Sequence, residues 1–282
     1  MTLQELKSCA AETLTYFLKT MPDVPFTEDD IVIDFAPREK IVEKFMELRE
    51  KYAPERIVNE SQKQDLADNV FANAIIGREK SAVVVFIDTS MTKTNMRRNM
   101  FHEFMHIYCA KTEMDGEHFI DIYGSGTTPE LKPGFTPEDE NNDGYLASGY
   151  ILWSEFIANY YAIKHTERKF SFPEARMSFE SLLGEIVQDN MIKSKGVFSF
   201  ACSYLFNCTD IDRVMKKLYE RGFIWDDSAP YGSQTREAFI GCAEHIQAQL
   251  QTDKPWKISK DFIFCLGMEF LHFRKINSQY FM

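Results

Sequence analysis

Several features that define other protein classes are missing from this sequence. It contains no run of 18 apolar residues, so no segment is expected to cross a membrane. It contains no CxxC pair, and its six cysteines are scattered along the chain. We therefore expect free thiols rather than disulfides or a cysteine zinc site. Internal repeats and low-complexity tracts are also missing, which excludes a repeat architecture.

Positively charged residues are fewer than negatively charged ones, with 32 Lys and Arg against 43 Asp and Glu. The 282 residues carry a formal net charge of −11 at pH 7, which disfavours nucleic acid or an anionic membrane surface as a partner. Residues 1–20 do not resemble a signal peptide, because charged residues such as Glu5, Lys7 and Glu12 interrupt any apolar run. We therefore expect a cytoplasmic, globular protein that binds neither nucleic acid nor membranes.

The hydrophobic periodicity predicts an α+β fold. Strand-like segments lie at 31–36 and on both sides of a turn at 77–80. Helix-like segments in the first part of the chain lie at 1–20, 38–53, 92–113 and 145–165. After residue 170 they lie at about 174–193, 209–221, 234–251 and 258–273. Thr2 and Glu5 form a capping-box pattern at the start of the first helix. We expect a sheet-containing region at 1–170 and a helical region at 171–282, with one continuous domain as the alternative.

One short stretch contains residues that could bind a metal ion. Residues 97–110 (RRNMFHEFMHIYCA) place His102 and His106 four positions apart, with Glu103 directly after the first. On a helix, residues four apart differ by only about 40° in direction, so both imidazoles can reach one metal ion. Glu103 points about 100° away from His102, where its carboxylate can contact a water on the metal but cannot join the pair as a ligand. The flanking residues are apolar, and ionisable groups in a buried helix are costly unless paired or metal-bound. We expect a metal site with its own base, and two metal-free histidines are the alternative.

A catalytic zinc has three protein ligands and one open position, so a third ligand is needed. The metzincin arrangement would require glycine and histidine where this chain has Cys109 and Thr112. A glutamate on a second helix is the other common solution. Glu155 is the one carboxylate on an otherwise small and mostly apolar helical face, and such a group needs a partner. Asn159, one turn later, is a candidate to fix the tautomer of a ligand histidine.

The segment between these two helices offers rival residues. Asp115, Glu117 and His118 are nearer to the histidine pair in sequence and remain alternative ligands. Candidates to stabilise the oxyanion of a tetrahedral intermediate are His118, Tyr145, Tyr150 and Tyr160. The acidic stretch 138–143, which we expect in a loop, partly fits a calcium-binding loop, but the twelfth position of that motif is a tyrosine instead of glutamate. A solvated acidic loop is therefore the preferred interpretation.

The pattern of His102, Glu103 and His106 followed by Glu155 and Asn159 resembles the gluzincin group of zinc metallopeptidases, to which thermolysin belongs, and is also similar to intracellular metallopeptidases of bacterial mobile elements. The resemblance spans about residues 90–160. It implies a zincin-like fold with a small sheet and an active-site helix. It also implies zinc held by His102, His106 and Glu155, with Glu103 as the general base.

These observations lead to one preferred function and one alternative. The preferred function is zinc-dependent hydrolysis of a peptide bond in a peptide or protein substrate, in which Glu103 takes a proton from water and passes it to the leaving amine. The alternative is a zinc-binding regulatory or interaction module without turnover. For the substrate, we expect an extended peptide to add as a strand beside 82–89, directly before the metal helix.

Overall fold

The computed structural model describes residues 1–56, 58, 60–68, 71–88, 90–112, 137–167, 169–175, 177, 191–219 and 232–280. Its helices are α1 (Leu3–Thr20), α2 (Ile41–Tyr52), α3 (Glu60–Asp68), α4 (Lys93–Lys111), α5 (Pro137–Thr166), α6 (Met191–Phe206), α7 (Ile211–Tyr219), α8 (Gly232–Leu250) and α9 (Lys260–Tyr280), and its strands are β1 (Ile31–Ala36), β2 (Ala72–Ile75) and β3 (Ser81–Phe86). The fold is therefore α+β, as predicted. None of these helices combines the length and the apolar character that crossing a membrane requires.

The described residues form two compact units. The first contains residues up to 112 together with 165–167, and the second contains 137–164 and the residues from 169 onwards. The boundary that the sequence suggested at residue 170 stays a prediction.

The sheet of the first unit has the strand order β1-β3-β2. β1 pairs with β3 in parallel, starting with Ile31 opposite Ser81, and β2 pairs with β3 antiparallel. Both sides of β3 are therefore occupied by strands, and all of its residues except the last are buried. Our expectation that a substrate strand adds beside 82–89 is wrong, because β3 is the central strand and has no free edge.

The two faces of the sheet are covered by different helices. On one face Ala82 and Val84 pack with Ile41, Phe45 and Leu48 of α2. Since successive strand residues point to opposite faces, Val83 and Val85 lie on the other. Helix α4 contacts α1 and β2, so the helix that carries the histidine pair is held between a helix and the sheet.

Aromatic rings join α4 to α1. The ring of Phe17 lies 4.8 Å from that of Phe101 and 5.7 Å from that of Phe104, measured between centroids. The hydroxyl of Tyr108 donates to the carbonyl of Pro22 at 2.8 Å. The ring contacts and this hydrogen bond hold α4 along most of its length. The start of α1 carries the predicted capping box of Thr2 and Glu5.

The second unit is helical. Its rings form a cluster made of Phe198, Phe239, Phe270 and Phe273. Helix α6 is held against α5 because the hydroxyl of Ser199 donates to the carbonyl of Leu152 at 2.7 Å. The side-chain amide of Asn207, directly after α6, donates to the carbonyl of Tyr160 at 3.0 Å. Helices α5 and α9 cross at Gly149 and Gly267, where the backbones touch.

Some predicted elements need correction. Residues 138–143 belong to α5, so the acidic stretch is helical, and a calcium-binding loop needs a turn that a helix does not supply. Helix α6 was not predicted as a helix, whereas most of the helix predicted at 174–193 lies outside the described residues. The helices predicted at 209–221 and 234–251 are confirmed with ends shifted by one or two residues, and the helix predicted at 258–273 is confirmed but extends to Tyr280.

Candidate metal centre

Helix α4 carries the histidine pair in a fixed orientation. Its first turn is capped by the Thr92 hydroxyl, which accepts a hydrogen bond from the Asn95 backbone N–H at 3.2 Å. Phe101, Phe104 and other apolar residues of the helix are buried. His102 and His106 lie on the remaining side and keep partial contact with solvent, so the apolar burial of the helix directs the two imidazoles to one place.

The two imidazoles converge on a common point. Their Nε2 atoms are 2.9 Å apart and their ring planes are 82° apart. Two nitrogens bound to one tetrahedral zinc at about 2.0–2.1 Å would be separated by about 3.3 Å. A shift of a few tenths of an ångström therefore converts this pair into a chelate.

The surroundings keep His106 neutral. Burial, together with the positive charge of Arg56, lowers the pKa of His106 from 6.5 to about 4. At pH 7 the imidazole carries no proton on one nitrogen, which leaves a lone pair for a metal.

Glu155 comes close to the pair. One carboxylate oxygen of Glu155 and one ring nitrogen from each of His102 and His106 all lie within 4.8 Å of one another, and all three side chains are half-buried. The last residues of α5 also contact α4, since the ring of His165 stacks on Phe101 with 5.2 Å between centroids. Two nitrogens and one carboxylate oxygen form a donor set that zinc accepts in catalytic sites.

Glu103 follows His102 directly on α4 and is buried, with 8% of its surface exposed. Its Oε2 accepts a hydrogen bond of 2.7 Å from the backbone N–H of Ala74 on β2. Because α4 is helical at these positions, Glu103 is offset from His102 by about 100° around the helix axis, and its role as base stays a prediction. The hydrogen bond fixes one carboxylate oxygen of Glu103 to β2.

Arg56 is a charged residue of this region that the sequence did not single out. Its Nη1 donates to the carbonyl of Ala74 at 2.9 Å. Burial lowers the pKa of the Arg56 guanidinium, while the charge of Glu103 raises it and that of Arg49 lowers it. The contact joins residues 18 positions apart in an irregular segment, and no local motif could have indicated it.

The remaining predicted residues have different outcomes. The side-chain amide of Asn159 donates to the Glu155 backbone carbonyl at 2.8 Å, and its role toward a histidine stays a prediction. Tyr150 is a half-buried residue of α5, five positions before Glu155. Asp115, Glu117 and His118 lie outside the described residues.

The cysteines agree with the expectation of free thiols. None of the six forms a disulfide, and five are buried. Burial raises the pKa of the Cys109 thiol far above its usual value. The thiolate needed for nucleophilic attack or metal binding is therefore disfavoured at Cys109, although this residue lies only three positions after His106.

Comparisons with known proteins identify no relative. No protein-family model, curated protein or solved structure matches the chain.

Proposed function

We propose that this protein is a zinc metallopeptidase that hydrolyses peptide bonds, with His102, His106 and Glu155 as ligands and Glu103 as general base. The observation that carries the proposal is the convergence of two imidazole nitrogens and one carboxylate oxygen within 4.8 Å. The buried carboxylate of Glu103 follows the first histidine directly and is held by the Ala74 N–H. Together these features supply three ligands and a base, which hydrolysis by a metal-activated water requires.

The ligand set fits zinc better than the hard cations. Calcium and magnesium prefer six or more oxygen ligands, and magnesium keeps several waters. Imidazole nitrogen with one carboxylate favours zinc or a related transition metal. Zinc bound here would polarise a scissile carbonyl and lower the pKa of a water.

The roles of the protein groups follow from their positions. The Ala74 N–H holds Oε2 of Glu103, so the carboxylate has a fixed direction. Glu103 takes a proton from the attacking water as the new C–O bond forms, and then gives it to the amine nitrogen as the C–N bond breaks. His118 and Tyr150 stay candidates for stabilising the oxyanion.

One observation favours the alternative function, a zinc-binding module without turnover. The hydrogen bond between Glu103 and Ala74 attaches α4 to β2, which gives this carboxylate a structural use that requires no catalysis. Retention of Glu103 is therefore expected in an inactive module as well. Metal content alone cannot separate the two functions, and turnover can.

The deciding experiment measures both properties on one preparation. Protein purified without added zinc is analysed for metals and then incubated with a mixed peptide library, with and without a chelator. We expect near-stoichiometric zinc and cleavage that the chelator abolishes and added zinc restores. His106→Ala is the control for contaminating peptidases and should lose both properties. Stoichiometric zinc without cleavage would favour the inactive module, and absence of bound metal would refute both functions.

A further inference from the structure

Two charged side chains bind the backbone of Ala74 on the edge of β2 that faces away from β3. The carbonyl of Phe71 accepts from the N–H of Phe86 at 2.8 Å, so odd-numbered residues of this segment direct their backbone groups toward β3. Ala74 therefore directs its N–H and carbonyl away from β3. Glu103 binds the N–H and Arg56 binds the carbonyl, which places a guanidinium next to the base.

The guanidinium of Arg56 has unused hydrogen-bonding capacity. Arg56 has five N–H donors, and among the described residues its side chain donates one hydrogen bond, to the carbonyl of Ala74. It forms no ion pair with an N···O distance up to 4.0 Å within the part of the chain that the structure describes. Its guanidinium carbon lies 5.3 Å from the ring centre of Phe45, an apolar neighbour that supplies no counter-charge.

The charges around Arg56 do not balance it. Glu103 attracts it electrostatically, but Oε2 of Glu103 is bound to Ala74, and Arg49 adds a second positive charge nearby. A partly desolvated cation without a direct partner is costly, and an anionic ligand would offset that cost.

We propose that Arg56 binds a carboxylate of the substrate beside the metal centre and so makes the site selective for peptides that carry a negative charge near the scissile bond. This inference rests on the proposed peptidase function. The forked guanidinium matches a carboxylate with two parallel N–H···O bonds. The carboxylate is either the free C-terminus of the peptide or an acidic side chain, since both present the same two oxygens.

The net charge of the chain and the local charge of Arg56 act on an acidic peptide in opposite directions. The chain carries a net charge of −11, so its overall field repels acidic peptides. Recognition of a carboxylate then depends on a local cation, which Arg56 supplies. The oxyanion of the reaction is a less suitable partner, because a metal held by His102, His106 and Glu155 would itself polarise the scissile carbonyl.

The test uses matched peptides. A peptide that the zinc-loaded protein cleaves is prepared in three forms: unmodified, with an amidated C-terminus, and with its acidic side chains changed to amides. The wild-type protein should cleave at least one neutralised form with kcat/KM lower by about ten-fold or more, mainly through a higher KM. The form that loses activity tells whether the C-terminus or a side chain is bound.

Variants assign the preference to Arg56. Arg56→Gln should cleave charged and neutralised forms with similar kcat/KM, and Arg56→Lys should retain part of the preference because it keeps a charge without the fork. Arg78→Gln is the matched control, since it removes one exposed positive charge from the turn between β2 and β3 and should leave the preference intact. Zinc content should be the same in all variants. If Arg56→Gln does not fold, Arg56→Lys decides. A reduced preference for the charged peptide supports the role of Arg56, and an unchanged preference refutes it.

The opposing outcomes are distinct. A wild-type protein that shows no preference, or an Arg56→Gln variant that retains it, overturns the role of Arg56. If the protein cleaves no peptide, the proposed function fails, and Arg56 is then tested separately by calorimetric binding of acidic peptides from the same library and their neutralised forms. Binding that depends on the carboxylate and is lost in Arg56→Gln supports the inference, and equal binding of all forms refutes it.

Discussion

The direction of a single side chain separates a base from a ligand in the proposed site. Glu103 follows His102 directly but binds Ala74 on β2, while the ring nitrogens of His102 and His106 meet 2.9 Å apart. This difference follows from the angular step of the helix. The spacing of these three residues in the sequence was therefore sufficient to predict that the two histidines share one side of the helix and that Glu103 lies on another.

The first prediction concerns Glu103→Gln. Glutamine keeps an oxygen that can accept the Ala74 N–H, so the fold and zinc stoichiometry should be retained, while kcat should fall by about 10²–10⁴-fold because the base is lost. Metal analysis and peptide cleavage on the same sample measure both effects. Glu103→Ala serves as the structural control and should melt at a lower temperature than Glu103→Gln, since it leaves the Ala74 N–H without its acceptor. Full activity in Glu103→Gln would remove Glu103 from the chemistry.

The second prediction concerns Glu155. Glu155→Ala should weaken zinc binding by roughly ten-fold or more, because the site keeps only two nitrogen ligands. The nearer acidic and histidine residues supply controls: Glu117→Ala and His118→Ala should bind zinc like the wild type. Titration against a competing chelator measures all three. Normal affinity in Glu155→Ala with a loss in either control would move the third ligand to the segment between α4 and α5.

At the scale of elements, the crossing of α5 and α9 is set by glycine. A Cβ at Gly149 would collide with the backbone carbonyl of Ile263, and one at Gly267 would collide with that of Tyr145. Two helices can approach so closely only where both lack side chains. This contact fixes the position of α5, the helix that carries Glu155, against its neighbour in the second unit.

The third prediction compares two glycines in helices. Gly149→Ala should lower the free energy of unfolding by about 1–3 kcal/mol, because the added methyl group forces two backbones apart. Gly196→Ala is the matched control: no atom lies within 4 Å of its added Cβ, so it should stabilise α6 by about 0.5–1 kcal/mol through higher helix propensity. Urea denaturation measures both changes. Equal effects in the two variants would show that the crossing tolerates a side chain.

The elements were predicted to different degrees for a physical reason. The boundaries of α4 and β1 follow from local periodicity, and both agree closely with the sequence prediction. The place of β3 at the centre of the sheet depends on pairing with β1, about 50 residues earlier, which no local pattern reports. Helix α6 was missed because its apolar residues are not confined to one face. Arg56 was missed because its contact with Ala74 is formed only in the folded chain.

At the scale of the whole molecule, metal binding and stability are linked. The three candidate ligands come from two segments that are about 50 residues apart in sequence, so the unfolded chain cannot present them together. Zinc should therefore bind the folded state preferentially and stabilise it.

The fourth prediction quantifies that linkage. At a free zinc concentration of about 100 times Kd, the free energy of unfolding should rise by about 2.7 kcal/mol, and a chelator should remove the gain. Thermal or urea unfolding with and without zinc measures the difference. Magnesium and calcium at the same concentration should have little effect, since the donor set contains two imidazole nitrogens and a single carboxylate. His102→Ala should lose most of the zinc response while keeping the unfolding behaviour of the metal-free protein, because His102 is a proposed ligand and its side chain is only half-buried. A zinc response that persists in His102→Ala would place the bound metal elsewhere in the chain.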